Sequence, residues 1–205
     1  MVGVFPDDWA EVALVTLQKK GGTAYQYAAI SETVDIGEPD YPGESIKTLV
    51  GGRIWKQTGQ EDGEVTLEIY PISANPGSNT GLFQEFAGGT WDTSEPVATD
   101  TTFVASIFGA EKQRDRYIIA IMWTDDTAVT SAMAATSTTD KVALRFYAKE
   151  CRFISHKTDF TDGMLKTTVT LKFPAMNKAG DTRSFAWEST NATQVATNLP
   201  ALTYT

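Results

Sequence analysis

The nine residues LKTTVTLKF, 165–173, constrain the fold more than any other stretch. Leu165, Val169, Leu171 and Phe173 alternate with Lys166, Thr168, Thr170 and Lys172. A period of two places one face in a core and the other in water, which a strand satisfies and a helix does not. Glu64–Tyr70 repeats the pattern, with Val65, Leu67 and Ile69 on one side and Glu64, Thr66 and Glu68 on the other. The turn-rich KQTGQEDG before it predicts a hairpin joining this strand to RIWK. Further strands are predicted at Phe103–Phe108, Arg116–Trp123 and Phe185–Ser189. Lys141–Ile154 reads as one long strand, or as two broken by a bulge.

Near the start, EVALVTLQKKGGTAYQYAAI reads as strand, glycine turn, strand, because its second arm is rich in β-formers. A helix after Asp7–Asp8 is the weaker alternative. The one strong helix signal is NTGLFQEFAGG. Asn79 or Thr80 caps it, Leu82, Phe83 and Phe86 share a face, and Gly88 stops it. DIGEPDYPGES, 35–45, combines prolines, glycines and acids that resist regular pairing, and predicts a projecting loop. TWDTSEPVATDTT predicts a second polar loop, and the small polar run TDDTAVTSAMAATSTTD a flexible one. No repeat or linker divides the chain, so residues 1–205 are expected to form a single, mainly β domain.

Composition narrows the function. The formal charge is −9, and Lys and Arg are scattered singly apart from Lys19–Lys20. No basic stripe follows a phosphate backbone, which argues against tight nucleic-acid binding. Nothing approaches the ~20 apolar residues of a membrane span, and no basic segment leads into an apolar one, so a cytoplasmic product without membrane contact is expected. The single cysteine, Cys151, excludes an internal disulfide and reads as a small buried hydrophobe.

Candidate chemistry is sparse. His156 is the only histidine, and an odd spacing from Cys151 points the two to opposite faces of an unbroken strand. No G-x-S-x-G elbow is present. Asp159, Asp162 and Gly163 lack the ligand ladder of a calcium loop, and Thr161–Gly163 reads as a turn. Gly51–Gly52 lacks the downstream Lys and Ser/Thr of a phosphate loop, so a bulge or close backbone approach is expected there. Asn191–Thr193 is a glycosylation sequon that means little without a secretory signal. Trp55, Trp123 and Trp187 fall in strands and are expected in the core, leaving Trp91 as the only plausible sugar platform. Glu64 and Glu68 share the polar face of a strand, where solvation is the simpler reading than carboxylate catalysis. No catalytic residue, cofactor or metal ligand is assigned, and an enzyme is not expected.

Taken in order, several stretches resemble the tail tube (major tail) proteins of long-tailed viruses of bacteria and archaea. They are TAYQYAAISETVDIGEPDY leading into KTLVGGRIWKQTGQEDGEVTLEIYP, then TGLFQEFAGG, then LRFYAKECRFISHKTDFTDGMLKTTVTLKFPA, and last WESTNATQVATNLPALT. The resemblance runs from about residue 23 to the C-terminus and rests on their combination. It implies a β-sandwich or rolled barrel with one flanking α-helix, in a virion structural protein assembled in the host cytoplasm. Subunits of that family form rings, usually hexameric, that stack into a hollow tube, with strands of each lining one continuous barrel. Partners would be further copies and other tail proteins, and genome DNA would pass through without tight binding. The loop holding Asp35, Glu38, Asp40, Tyr41 and Glu44 would reach the next ring, and Glu64 and Glu68 are candidates to face the lumen. A tail terminator and a type VI secretion tube protein share this architecture. A carbohydrate-binding β-sandwich is the alternative of another class.

Overall fold

A computed structural model describes residues 12–22, 24–26, 31–57, 59–69, 115–136, 142–161, 164–190 and 198–204. These residues form ten strands, and no helix occurs among them. The strands are β1 (Val12–Lys19), β2 (Ala24–Gln26), β3 (Ser31–Gly37), β4 (Gly43–Lys47) and β5 (Arg53–Gln57), followed by β6 (Gly63–Ile69), β7 (Tyr117–Thr124), β8 (Ala143–Thr161), β9 (Met164–Phe173) and β10 (Phe185–Ser189). The expected helix at 79–88, the strand at 103–108 and Trp91 lie outside the described residues.

Pairing follows the order β2-β1-β7-β8-β9-β6-β3, with β10 also on β8 and every ladder antiparallel. The long strand β8 is the seam. Its first half pairs with β7 and β10, and from Arg152 onward it pairs with β9. Glu150 marks the change of partner with φ 59°, a left-handed conformation rare outside glycine. The Tyr204 hydroxyl donates to Glu150 Oε1 at 3.1 Å, and Arg116 Nε lies 3.7 Å from the other carboxylate oxygen. Of the two readings the sequence left open for 141–154, the strand is continuous as in the first and carries a register irregularity as in the second.

Alternation explains the core. Val15 and Leu17 of β1, Ile119 and Ile121 of β7, Phe146 of β8, Val65 and Leu67 of β6, and Val169, Leu171 and Phe173 of β9 pack together. A second cluster covers the opposite face of β7, where Ile118, Ala120 and Met122 meet Val129, Met133, Leu199 and Tyr204. Strand β7 is therefore buried on both faces, and reads as a continuous apolar run rather than an alternating one.

Three expectations need correction. RIWK does not pair with the strand after it: β5 pairs β4, and β6 lies between β3 and β9. The turn Thr48–Gly52 closes the β4–β5 hairpin, with Gly51 at φ 83° and the Thr48 amide donating to the Gly52 carbonyl at 2.8 Å. The described part of the small polar run is packed, not loose. Thr16 Oγ1 accepts from the Ala132 amide at 2.9 Å, and Asp125 Oδ1 from the Val142 amide at 2.8 Å. Trp55 is outside the core at 65% exposure, and Trp187 is 43% exposed. Trp123 packs against the main cluster as expected.

Candidate functional site

The sequence left His156 and Cys151 as the only base and thiol. Cys151 is fully buried, its Sγ donates to the Ala148 carbonyl at 3.2 Å, and burial pushes the thiol from 9.0 up to about 12. Such a group stays protonated and inert at neutral pH. His156 lies five residues further along β8, opposite Val169. Extended backbone puts roughly 16 Å between two such positions.

The informative surface is the outer face of the four strands β8, β9, β6 and β3. Reading across the register, Arg152, Lys172, Glu64 and Gly37 are level, as are Ser155, Thr170, Thr66 and Asp35, and as are Lys157, Thr168, Glu68 and Thr33. Lys166 Nζ lies 2.8 Å from Glu68, Lys172 lies 3.8 Å from Glu64, and Lys157 lies 2.7 Å from Asp159. Glu64 and Glu68 thus sit on a polar face as expected, but each has a lysine beside it. Four cations (Arg152, Lys157, Lys166, Lys172) balance four carboxylates (Asp35, Glu64, Glu68, Asp159). The cations lie on β8 and β9, and three of the four acids on β6 and β3.

Among the described residues, neither flank of this sheet carries a further strand. Among the described residues β3 pairs only with β6, and residues 155–161 of β8 pair only with β9. Unpaired edges present rows of N–H and C=O groups to any strand that approaches.

The segment expected to be one projecting loop is mostly paired. Asp35 and Gly37 belong to β3 and sit opposite Thr66 and Glu64, while Glu44 is the second residue of β4, opposite Lys56. Only residues 38–42 connect them, and Pro39 is buried there. Glu38 Oε1 accepts from the Trp187 indole N–H at 2.6 Å, the Asp40 carbonyl accepts from the Glu61 amide at 3.1 Å, and Tyr41 is half exposed. What projects is the β4–β5 hairpin, which forms its own two-stranded sheet. Ile46 and Ile54 face each other across it, with Leu49 and Val50 at the tip, all exposed. Gly43 allows the Trp55 indole to lie on the backbone; a Cβ there would overlap the ring. The sequence reading missed these apolar residues, whose signal was the run TLVGGRIW.

No protein-family model matches the chain, and no curated protein matches it in sequence. Among solved structures it is similar to a chain of the PVC sheath–tube complex of an extracellular contractile injection system in the extended state. The TM-score is 0.48 with 9% identity, covering 86% of this chain and 88% of that one. It is also similar to a chain of the anti-feeding prophage baseplate (TM-score 0.47, 10% identity, 86% and 91% covered). A third is an Hcp protein (TM-score 0.39, 8% identity, 87% and 99% covered). Likeness at this level assigns neither family nor function.

A second feature that sequence reasoning missed is Arg145, which is fully buried on β8. Its guanidinium reaches Glu188 at 2.5 and 2.8 Å, the Pro200 carbonyl at 2.7 Å and the Ala134 carbonyl at 3.2 Å. One side chain thus ties β10, the 131–136 segment and the C-terminal segment to the sheet.

Proposed function

We propose that the chain is the repeating structural subunit of a hollow tube, and that it has no catalytic role. The observation that carries this is the four-stranded sheet with one face in the core, one face polar and, among the described residues, no further strand on either edge. Four antiparallel strands place β8 and β3 at opposite flanks running in opposite directions. The β3 edge of one copy can therefore meet the β8 edge of the next and continue the same antiparallel ladder. Head-to-tail contacts of this kind close into rings when the rotation allows, and ring closure pairs both edges of this four-stranded sheet. The polar faces then line the channel. A lining with paired charges offers a passing polyanion no concentrated basic surface, so DNA slides without sticking.

The β4–β5 hairpin supplies the axial contact. Its exposed Ile46, Leu49, Val50 and Ile54 form an apolar surface on an arm that stands apart from the main sheet, and a second ring is its occupant. The sequence resemblance supports a viral tail as the setting, with genome DNA as the cargo and other tail proteins at the tube ends. A terminator or secretion tube component is the neighbouring reading. Electron microscopy and sedimentation of the purified full chain test the proposal. Rings and stacked tubes are expected as concentration rises; a monomer at every concentration and salt would overturn it.

A further inference from the structure

Where β8 leaves β7 and joins β9, a cleft of about 1000 Å³ opens beside the polar sheet face. Lys20, Arg116, Arg152, Lys172 and Lys178 contribute five cations to its lining. Only Asp62 and Glu150 oppose them there, in a chain whose net charge is −9. Glu150 is shared by Lys20 and Arg116, and Lys172 is paired with Glu64. Arg152 and Lys178 are exposed and make no ion pair among the described residues. The cleft therefore carries an excess of positive charge among its lining residues, at the point where β8 loses β7 as a partner.

We propose that this cleft receives the acidic segment 35–40 of a neighbouring copy, an inference that rests on the tube reading above. Three observations converge. Asp35 and Asp40 are exposed and likewise make no side-chain ion pair among the described residues. Within one copy, β3 and β8 are three strand intervals apart, about 14 Å, so Asp35 does not reach Arg152 of its own chain. Gly37 is level with Glu64, Lys172 and Arg152 in the register. When β3 of one copy extends the β8 edge of the next, the chain around Gly37 arrives beside Arg152. A barrel staggers neighbouring strands by a few residues, and the acids at 35, 38 and 40 span that range. Glu38 is already held by its own Trp187, so Asp35 and Asp40, which have no ion-pair partner among the described residues, are the carboxylates that fill the cleft. The contact joins unlike surfaces, so it sets the direction in which copies add and disfavours symmetric pairs.

The test uses two full-length variants: Arg152→Glu with Lys178→Glu, and Asp35→Lys with Asp40→Lys. Circular dichroism verifies that each is folded. Each alone is expected to raise the concentration needed for assembly at least tenfold. In an equal mixture, alternating copies present only complementary contacts, so assembly should return toward the wild-type level. If the wild type assembles and both variants do so equally well, or the mixture fails to recover, the cleft contact is wrong while the tube reading stands. If the wild type never assembles, both are wrong. Carbodiimide coupling of mixed light and heavy wild-type chains decides the matter even if a variant misfolds. An intermolecular link from Lys178 to Asp35 or Asp40 is expected within assembled material, and its absence there overturns the proposal.

Discussion

Arg145 shows how much one side chain organises here. Removing it leaves the Ala134 and Pro200 carbonyls and the Glu188 carboxylate without their charged donor, and leaves a cavity where a fully buried side chain stood. We expect Arg145→Ala to cost about 3–5 kcal/mol in denaturant unfolding, as for other broken buried pairs. Glu188→Gln keeps an acceptor but leaves the fully buried guanidinium without its counter-charge, and should cost a comparable amount. Cys151 makes a different kind of statement. Its thiol holds its proton up to about pH 12 in the folded chain, while an unfolded chain releases it near 9.0. Above that value the unfolded state binds fewer protons, so this residue's share of stability is whole below pH 9 and declines as pH rises. By about pH 10.5 the wild type should have lost about 2 kcal/mol more than Cys151→Ala, at 1.36 kcal/mol per pH unit. Parallel pH-dependent unfolding curves for the two proteins would refute this.

At the scale of elements, alternation made β6 and β9 legible, and the glycine turn made the β1–β2 hairpin legible. Pairing was harder. Periodicity says which face of RIWK is polar but not which strand it lies against, and a second turn at 48–52 captured it first. The run 125–136 looked loose because its residues are small. Its anchors, Thr16 and Arg145, lie elsewhere in the chain and leave no local trace. The acids at 35–45 were recognised as a unit, yet the structure divides them between β3, a five-residue connection and β4. The hairpin yields a prediction of its own. Replacing residues 44–56 with a short glycine turn should leave a folded subunit that forms rings but stacks poorly, seen as single rings in micrographs. In hydrogen exchange, amides of 43–57 should gain protection when wild-type rings stack. Equal exchange in both states would remove the hairpin from axial assembly.

For the molecule as a whole, a formal charge of −9 does not by itself say where the acids lie. The register places four cations among four carboxylates on the polar face, so the excess acid lies elsewhere. Tipping this balance has a predictable effect. Glu64→Lys with Glu68→Lys leaves six cations against two acids, and tubes of this variant should retain double-stranded DNA at low salt and release it as salt rises. Wild-type tubes should not retain it in gel-shift or sedimentation assays. Strand β8 carries a last implication. Its 19 residues span about 60 Å when extended and take part in both halves of the domain. Tension along that strand loads its ladder hydrogen bonds together, in shear, whereas a sideways pull opens them one after another. A tube built as proposed from such subunits should be stiff along β8, and should give way by peeling between neighbouring copies before any subunit is drawn apart.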